Sequence, residues 1–334
     1  MITRIGRSLT IDGAYIHSYA AVVGKKEGEG PIGNEFDKIC DDTTLGQSSW
    51  EKAESTLLKQ AIDLCVSKSN VPVKDYDMIF CGDLLDQCMG STMAVRSMGI
   101  PTIGLYGACS TMAEGLVLAG LCAGAGVTNH ALVTAESHFC SAERQFRFPL
   151  GYGGQRTPTS QWTVTGAGVA AVSPTASAIC IKDVTPGRIV DMGVTDANNM
   201  GAAMAPAALD TLVSFFTDTA TAPDDYDLII TGDLGQVGSE ILRDLMQREG
   251  KPLGANYTDC GLMIYDRDRQ DVHAGGSGCG CAASVLCGYL LPRIENGTLN
   301  NVLFMATGAL MSPTSSQQGM SIPSIAHLVH LTHA

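Results

Sequence analysis

The 334-residue chain is predicted to adopt a layered α/β fold built from two similar halves. Two observations lead to this prediction: one segment occurs twice along the chain, and the strands are apolar without interruption. Such strands are buried on both faces, so helices must cover the sheet on either side. We expect the first half to span residues 1–175 and the second to span residues 176–334, with the functional residues where they meet.

The repeated segment is the strongest of these signals. Residues 76–84 read YDMIFCGDL and residues 226–234 read YDLIITGDL, at an offset of 226 − 76 = 150 residues. Each copy follows a predicted helix, over residues 48–68 and 205–217, and the first helix has apolar residues at helical spacing. Repetition on this scale indicates that a whole structural unit is duplicated.

A second strand–helix–strand unit follows in each half. In the first half, the strand 103–106 runs into Gly107-Ala108-Cys109-Ser110, then an apolar helix and the strand 131–135. In the second half, residues 277–281 open a helix that leads to the strand 302–306. This second pair of units extends the duplication along the chain.

Composition limits the classes of function. The net charge is −13, whereas a nucleic-acid-binding protein needs a basic surface, so nucleic acid is not an expected partner. Residues 1–19 carry several charged side chains and no run of 18 apolar residues occurs, so we predict neither a secretory signal nor a membrane span. The twelve cysteines lie mostly in apolar runs, which is typical of reduced, buried thiols.

Cys109 is the candidate nucleophile. The residues after it open a helix, whose N-terminus favours a thiolate and lowers the pKa of a cysteine. Backbone N–H groups at the same turn could hold an oxyanion. The alternative is a small buried residue at a tight glycine turn, and the residues by themselves leave both interpretations open.

These motifs resemble known families. Two α/β halves with Ala108-Cys109 at a strand-to-helix turn resemble the thiolase superfamily, which implies a thiolase-like layered αβαβα fold. The spacing of 22 residues from Cys109 to Ala131 is similar to that of ketoacyl synthase III-type enzymes. Longer motifs resemble the stage V sporulation protein AD family, among them GACST at 107–111, AERQFR at 142–147, TDCGLMIY at 258–265 and AGGSGC at 274–279.

The resemblance to the stage V sporulation protein AD family implies a role in endospore formation. It implies that the chain binds dipicolinic acid (pyridine-2,6-dicarboxylate) and supports its uptake into the developing spore. It also implies a peripheral position at the forespore or spore inner membrane, with the other stage V sporulation A proteins as partners. The thiolase resemblance adds a homodimer to these expectations.

The thiolase resemblance also implies an alternative, an acyltransferase or ketoacyl synthase-like enzyme that uses Cys109 on an acyl-coenzyme A thioester. Such chemistry needs a base and oxyanion donors from the second half, usually His with His or Asn. The first of these positions holds Asp233, whose carboxylate is an acceptor. The second falls on Cys279 by helix spacing or near His273 by the glycine pattern. The set of catalytic partners that Cys109 would need is broken or at best partial, which favours a degenerate pocket that binds a ligand without turnover.

The remaining candidates are predicted to bind the ligand. A planar dianion requires guanidinium or N–H donors and a flat apolar slot. Arg144 and Arg147 lie in a segment rich in arginine and aromatic residues, although a solvated or dimer-interface loop fits that segment as well. His138 follows the strand next to Cys109 in the thiolase plan. The predicted binding residues are Cys109, His138, Arg144, Arg147, Asp233, His273 and Cys279.

No cofactor and no metal is predicted. His327, His330 and His333 recur at intervals of three, which could suggest metal ligands, but such a row near a chain end is more often an exposed face. The glycine-rich residues 275–278 lack the Gly-Lys-Ser/Thr ending of a P-loop and the dinucleotide-binding pattern.

Overall fold

The computed structural model describes residues 1–146 and 156–334. The strands in these ranges are β1 Ile2–Ile5, β2 Ser8–Ile11, β3 Tyr15–Gly24, β4 Lys38–Cys40, β5 Met78–Gly82, β6 Thr102–Gly104, β7 Ala131–Ser137, β8 Trp162–Thr163, β9 Gly166–Ser173, β10 Ile179–Thr185, β11 Leu228–Thr231, β12 Tyr257–Asp259, β13 Gly276–Ser277, β14 Asn301–Ala309 and β15 Ser324–His333. The α-helices are α1 Lys25–Gly28, α2 Trp50–Ser69, α3 Met89–Val95, α4 Thr111–Gly124, α5 Phe139–Phe146, α6 Met200–Thr219, α7 Gly235–Arg248, α8 Cys260–Met263, α9 Cys279–Val285, α10 Leu291–Glu295 and α11 Pro313–Gln317. A π-helical turn, Leu286–Leu290, joins α9 to α10.

The strand order of the main sheet shows the same duplication as the sequence. Across the described residues it runs β12-β11-β14-β15-β10-β3-β9-β7-β5-β6. From its centre, the first half continues β3-β9-β7-β5-β6 and the second β10-β15-β14-β11-β12. In both, the first two pairings are antiparallel and the last two are parallel. The prediction of two similar α/β halves is confirmed.

The repeat in the sequence is also a repeat of local structure. Helices α2 and α6 both have 20 residues, and their first residues, Trp50 and Met200, are 150 positions apart. The predicted start of α6 at residue 205 was wrong. The helix begins earlier because the Asn199 side chain accepts from the Ala202 N–H and caps it there.

Helices occupy three layers around the strands. Helix α4 lies between the halves and packs on β5 and β7 of the first half and on β14 and β15 of the second. Helix α9 packs on β7 and β9, so closely that a Cβ at Gly168 would lie 2.3 Å from the Ala283 carbonyl oxygen. Helix α2 covers the outer face of the first half, and α6 with α7 covers that of the second. This order confirms the layered fold.

The histidines near the C-terminus lie in a strand, and the expectation of an exposed row holds for His333 and is wrong for the other two. His327 and His330 are buried in β15, which pairs with β10 and β14 on its two sides. The His330 Nδ1 atom is 2.7 Å from an Asp183 carboxylate oxygen on β10. Successive strand residues face opposite sides, so an interval of three does not place side chains together.

Helix α6 is, among the described residues, the helix that is long and apolar enough to cross a membrane by length and composition. Its mean hydropathy is 1.2 over the relevant window, and 56% of that window is buried inside the molecule. The side chains of Leu212, Phe215 and Phe216 belong to the core beneath it. Core helices satisfy the same criterion, so this observation is weak support for a membrane span.

Candidate functional site

Cys109 lies on a tight turn between β6 and α4. Ala108 has a φ of 50°, a left-handed conformation that is uncommon for a residue with a side chain. The hydroxyls of Ser110 and Thr111 close the turn by donating to the carbonyls of Gly107 and Ala108, each at 2.7 Å. The turn directs Cys109 into the junction of the halves, where the residue is 6% exposed.

Strand β14 of the second half forms the neighbouring wall. At Gly308 a Cβ would lie 2.1 Å from the Gly107 carbonyl oxygen and 3.2 Å from the Ser110 nitrogen. A residue without a side chain is therefore required for the strand to approach the cysteine turn. The adjacent Thr307 hydroxyl donates to Asp233 over 2.9 Å.

Asp233 is the electrostatic centre of the site. It is fully buried and accepts hydrogen bonds from the Ser277 hydroxyl at 3.0 Å and the Gly278 N–H at 2.9 Å. It also accepts from the Thr307 hydroxyl, and it lies beside the Cys109 thiol. One carboxylate thus joins the cysteine turn, the start of α9 and the end of β14.

The surroundings of Cys109 oppose a thiolate. Burial raises the pKa of the Cys109 thiol well above its usual range, and the adjacent Asp233 carboxylate raises it further. Burial also raises the pKa of Asp233, although the bonds it accepts act in the opposite direction. The expected lowering of the Cys109 pKa by the helix N-terminus is outweighed, because desolvation and a negative neighbour both favour the neutral thiol.

The second position at which acyl transfer would need a His or Asn holds the thiol of Cys279. Cys279 is fully buried at the start of α9, and its Sγ donates to the Glu136 carbonyl at 2.9 Å. Burial raises the pKa of Cys279 well above its usual range, with a further contribution from nearby Cys109. His273 lies elsewhere, with its Nε2 3.1 Å from an Asp271 carboxylate oxygen, and is not part of the pocket lining.

A narrow pocket of about 50 Å³ opens above Cys109. Such a volume holds roughly three to five water molecules, which is too little for a long acyl chain. The walls are mainly apolar, with Tyr106 and Asn198 near the opening. No hydrogen bond within the described residues occupies the Tyr106 hydroxyl or the Asn198 side-chain amide, so both are available to a ligand.

Two other predicted site residues lie outside this pocket. The His138 Nε2 is 2.8 Å from the Thr43 carbonyl, and its ring stacks on Trp50 with centroids 5.7 Å apart. Arg144 pairs with Glu51 at the surface. Arg147 lies outside the described residues. The structure therefore brings Cys109, Asp233 and Cys279 together and leaves His138, Arg144 and His273 apart.

Sequence reasoning missed several polar residues of the site. Ser277 and Thr307 lie inside motifs that were recognised, but their bonds to Asp233 depend on the meeting of distant segments. The Gln161 side chain donates to the carbonyls of Asp233 and Gly276, each at 2.7 Å. In residues 1–146 and 156–334, no group of three or more His, Cys, Asp and Glu residues is arranged to hold a metal ion.

Comparison with known proteins then identifies the family. The model of the family described as stage V sporulation protein AD (SpoVAD) matches residues 7–332. The chain belongs to the stage V sporulation protein AD family. A relative from Bacillus subtilis (strain 168), named stage V sporulation protein AD, is 44% identical over 313 residues, which covers 94% of this chain and 92% of the relative. This family member is therefore a sporulation protein.

Solved structures of lower identity share the fold. The 3-oxoacyl-[acyl-carrier-protein] synthase III from Aquifex aeolicus VF5 superposes with a TM-score of 0.59 at 12% identity, covering 96% of this chain and 100% of that one. A variant of OleA from Xanthomonas campestris gives a TM-score of 0.62 at 12% identity, covering 99% of this chain and 100% of that one. At such identities the likeness establishes the thiolase-like fold and nothing about activity.

Proposed function

We propose that this family member binds dipicolinic acid and supports its uptake into the developing spore, using a degenerate thiolase pocket. The observation that carries the proposal is the buried Asp233 carboxylate against Cys109, at a position where acyl transfer would need an oxyanion donor. A neutral thiol next to an acceptor is a poor nucleophile but a stable pocket floor. Membership of a sporulation family supports a spore-specific ligand.

The pocket has features that suit a small planar acid. Leu84, Phe146 and Met200 give it apolar walls, and Tyr106 and Asn198 supply donors near its opening. Among the described lining residues there is no lysine or arginine to balance a dianion. We therefore propose Arg147 as the cationic residue that contacts the ligand. Arg144 is the control residue in the binding experiment.

Partners and location follow from the same proposal. We propose that the protein acts with the other stage V sporulation A proteins as a peripheral component of the spore inner membrane. A chain of net charge −13 is repelled by anionic lipid, so a protein partner is the simpler means of attachment.

Titration with dipicolinate tests the binding function. We expect saturable binding to the intact chain and about tenfold weaker binding to Asn198→Asp, because the new carboxylate would repel the ligand at the pocket opening. Cys109→Ala is expected to bind almost as well as the unaltered protein. Isothermal titration calorimetry would give these affinities directly.

Two arginine variants and one chemical test complete this experiment. Arg147→Ala should weaken binding, whereas Arg144→Ala, which breaks a surface pair with Glu51, should not. Absence of saturable binding by the unaltered protein would refute the proposal. A Cys109-dependent mass increase after incubation with acetyl-coenzyme A would favour the acyltransferase alternative.

We also propose a homodimer formed through the edge strand β6. The residues of β6 are exposed, and an edge strand presents unpaired backbone groups to another strand. Ile103 is 43% exposed, and the nearby Met89 and Met93 add apolar surface. A second copy of the chain would cover this surface.

Mass in solution tests the dimer. Light scattering coupled to size exclusion should give about twice the chain mass of 35.0 kDa. Ile103→Lys should shift the value towards one chain mass, since a buried lysine disfavours the interface. Val127→Lys is the control, because Val127 is an exposed apolar residue outside this strand. A monomer at every concentration, or equal effects of the two variants, would contradict the proposed interface.

A further inference from the structure

Three carboxyl groups lie together in the interior behind one wall of the pocket. Glu54 is on α2, Asp83 follows β5 and Glu136 is on β7, and all three are fully buried. A Cβ at Gly90 would be 3.3 Å from the carboxyl carbons of both Asp83 and Glu54. Glu136 and Leu132 point to the same face of β7, and Leu132 belongs to the core packed against α2.

Two of these carboxyl groups lack the donors that a buried carboxylate needs. Neither carboxyl oxygen of Glu136 has a hydrogen-bond partner, and the same is true of the Oε1 atom of Glu54. The other Glu54 oxygen accepts from the Ser141 hydroxyl on α5. Among the described residues, no lysine, arginine or histidine pairs with any of the three. The other titratable neighbours are the thiols of Cys81 on β5, Cys88 in the next turn and Cys279 on α9.

The balance of donors determines which carboxyl group is charged first. Asp83 accepts from the N–H groups of Leu85 and Ser91, each at 2.7 Å, and from the Ser91 hydroxyl at 2.6 Å. Burial raises the pKa of Glu54 and Glu136 well above the usual range, and nearby Asp83 raises both further. A second negative charge next to Asp83 is therefore unfavourable in this poorly solvated interior.

The sign of the pH dependence follows from these shifts. The folded chain retains protons on Glu54 and Glu136 at pH values where the unfolded chain has lost them. The stabilisation is complete below the unfolded pKa of about 4.3 for glutamate, and it declines as pH rises towards the folded values. Alkaline conditions therefore act against the native arrangement of this cluster.

The cluster is connected to the pocket through the turn after β5. The bonds from Leu85 and Ser91 to Asp83 hold residues 84–91 in place. Gln87 and Cys88 in this turn have φ values of 59° and 51°, which cost conformational energy in residues with side chains. Leu84, the first residue of the turn, lines the pocket.

We infer that this carboxyl cluster, defined by Glu54, Asp83 and Glu136, places the pocket under pH control. When two of the three groups are protonated, the turn of residues 84–91 is held against the pocket; a second charge loosens the turn and weakens ligand binding. The inference rests on the proposed use of the Cys109 pocket as a binding site.

Hydrogen exchange followed by mass spectrometry tests this control without a ligand. From about pH 6 to about pH 9, after correction for intrinsic exchange, the protection of peptides covering residues 84–91 should fall about tenfold, the ratio that corresponds to one pKa unit. Glu136→Gln should reduce that fall, because the amide stays neutral and only Glu54 can then supply the second charge. Glu54→Gln is the second variant and should act in the same direction if Glu136→Gln does not fold.

Glu27→Gln is the matched control. Glu27 is another buried glutamate, with a pKa raised by burial, but it is bonded to Tyr265 and to the Thr165 N–H. The inference fails if protection is independent of pH in the unaltered chain. It also fails if protection falls as much in Glu136→Gln and in Glu54→Gln as in the unaltered chain, or if Glu27→Gln abolishes the fall.

Dipicolinate titrations over the same range form the second arm. Binding should weaken with rising pH in the unaltered chain and less so in Glu136→Gln. If dipicolinate binds with equal affinity at every pH, the inference fails and the proposed function stands. If dipicolinate does not bind at all, the proposed function fails, and the exchange experiment still decides whether the cluster controls the turn.

Discussion

Asp233→Ala is expected to lower the free energy of unfolding by about 3–5 kcal/mol, the range of the most damaging single substitutions. The change removes the acceptor for the Ser277 hydroxyl, the Gly278 N–H and the Thr307 hydroxyl. Each buried donor left without a partner costs about 1–3 kcal/mol, and the costs of neighbouring groups do not simply add. Urea unfolding followed by circular dichroism measures the loss.

Asp233→Asn provides the matched comparison. Its amide keeps one acceptor oxygen in nearly the same place, so we expect a smaller loss of about 1–2 kcal/mol. Asp63→Ala, which breaks an exposed pair with Lys59, should cost well under about 1 kcal/mol. A loss below about 1 kcal/mol for Asp233→Ala would show that Asp233 does not hold the start of α9 and the end of β14 in place.

Gly308→Ala is expected to have the second large effect, a loss of about 3 kcal/mol or more. The added Cβ would lie 2.1 Å from the Gly107 carbonyl oxygen, inside van der Waals contact, and backbone atoms cannot rotate away as a side chain would. Overpacking costs about 1–3 kcal/mol where side chains can adjust, so a clash with backbone exceeds that range. The displaced cysteine turn should also abolish dipicolinate binding.

Gly104→Ala is the control for Gly308→Ala. A Cβ at Gly104 would meet no atom within 4 Å, and the residue lies in the strand that precedes the same turn. Its unfolding midpoint should remain close to that of the unaltered chain. Equal midpoints for Gly308→Ala and Gly104→Ala would mean that β14 and the cysteine turn separate at little cost.

Much of the fold could be predicted because the relevant signals are local or repeated. The copies at 76–84 and 226–234 marked equivalent strands, and the apolar runs marked buried ones. The position of Cys109 at a strand-to-helix turn was readable from its glycine and the following helix. These features depend on neighbouring residues, which sequence patterns report directly.

The chemistry of the site depended on contacts that sequence patterns do not report. The helix start after Cys109 predicted a lowered pKa, but burial and Asp233 raise it, and both effects arise from distant segments. His138 follows its strand as expected, yet its ring turns towards Thr43 and Trp50. Whether a side chain points into a pocket or away from it is decided by packing, so these positions required the structure.

The two Gly-Asp-Leu turns give the molecule an internal comparison. Asp83 and Asp233 follow equivalent strands, β5 and β11, and both accept several hydrogen bonds, yet Asp83 lies beside the Glu54 carboxyl group and Asp233 lies beside the Cys109 thiol. Duplication has thus placed the same carboxylate in two environments within one polypeptide. Differences between the titrations of these two aspartates will report the local environment, because strand, turn and flanking residue types are shared.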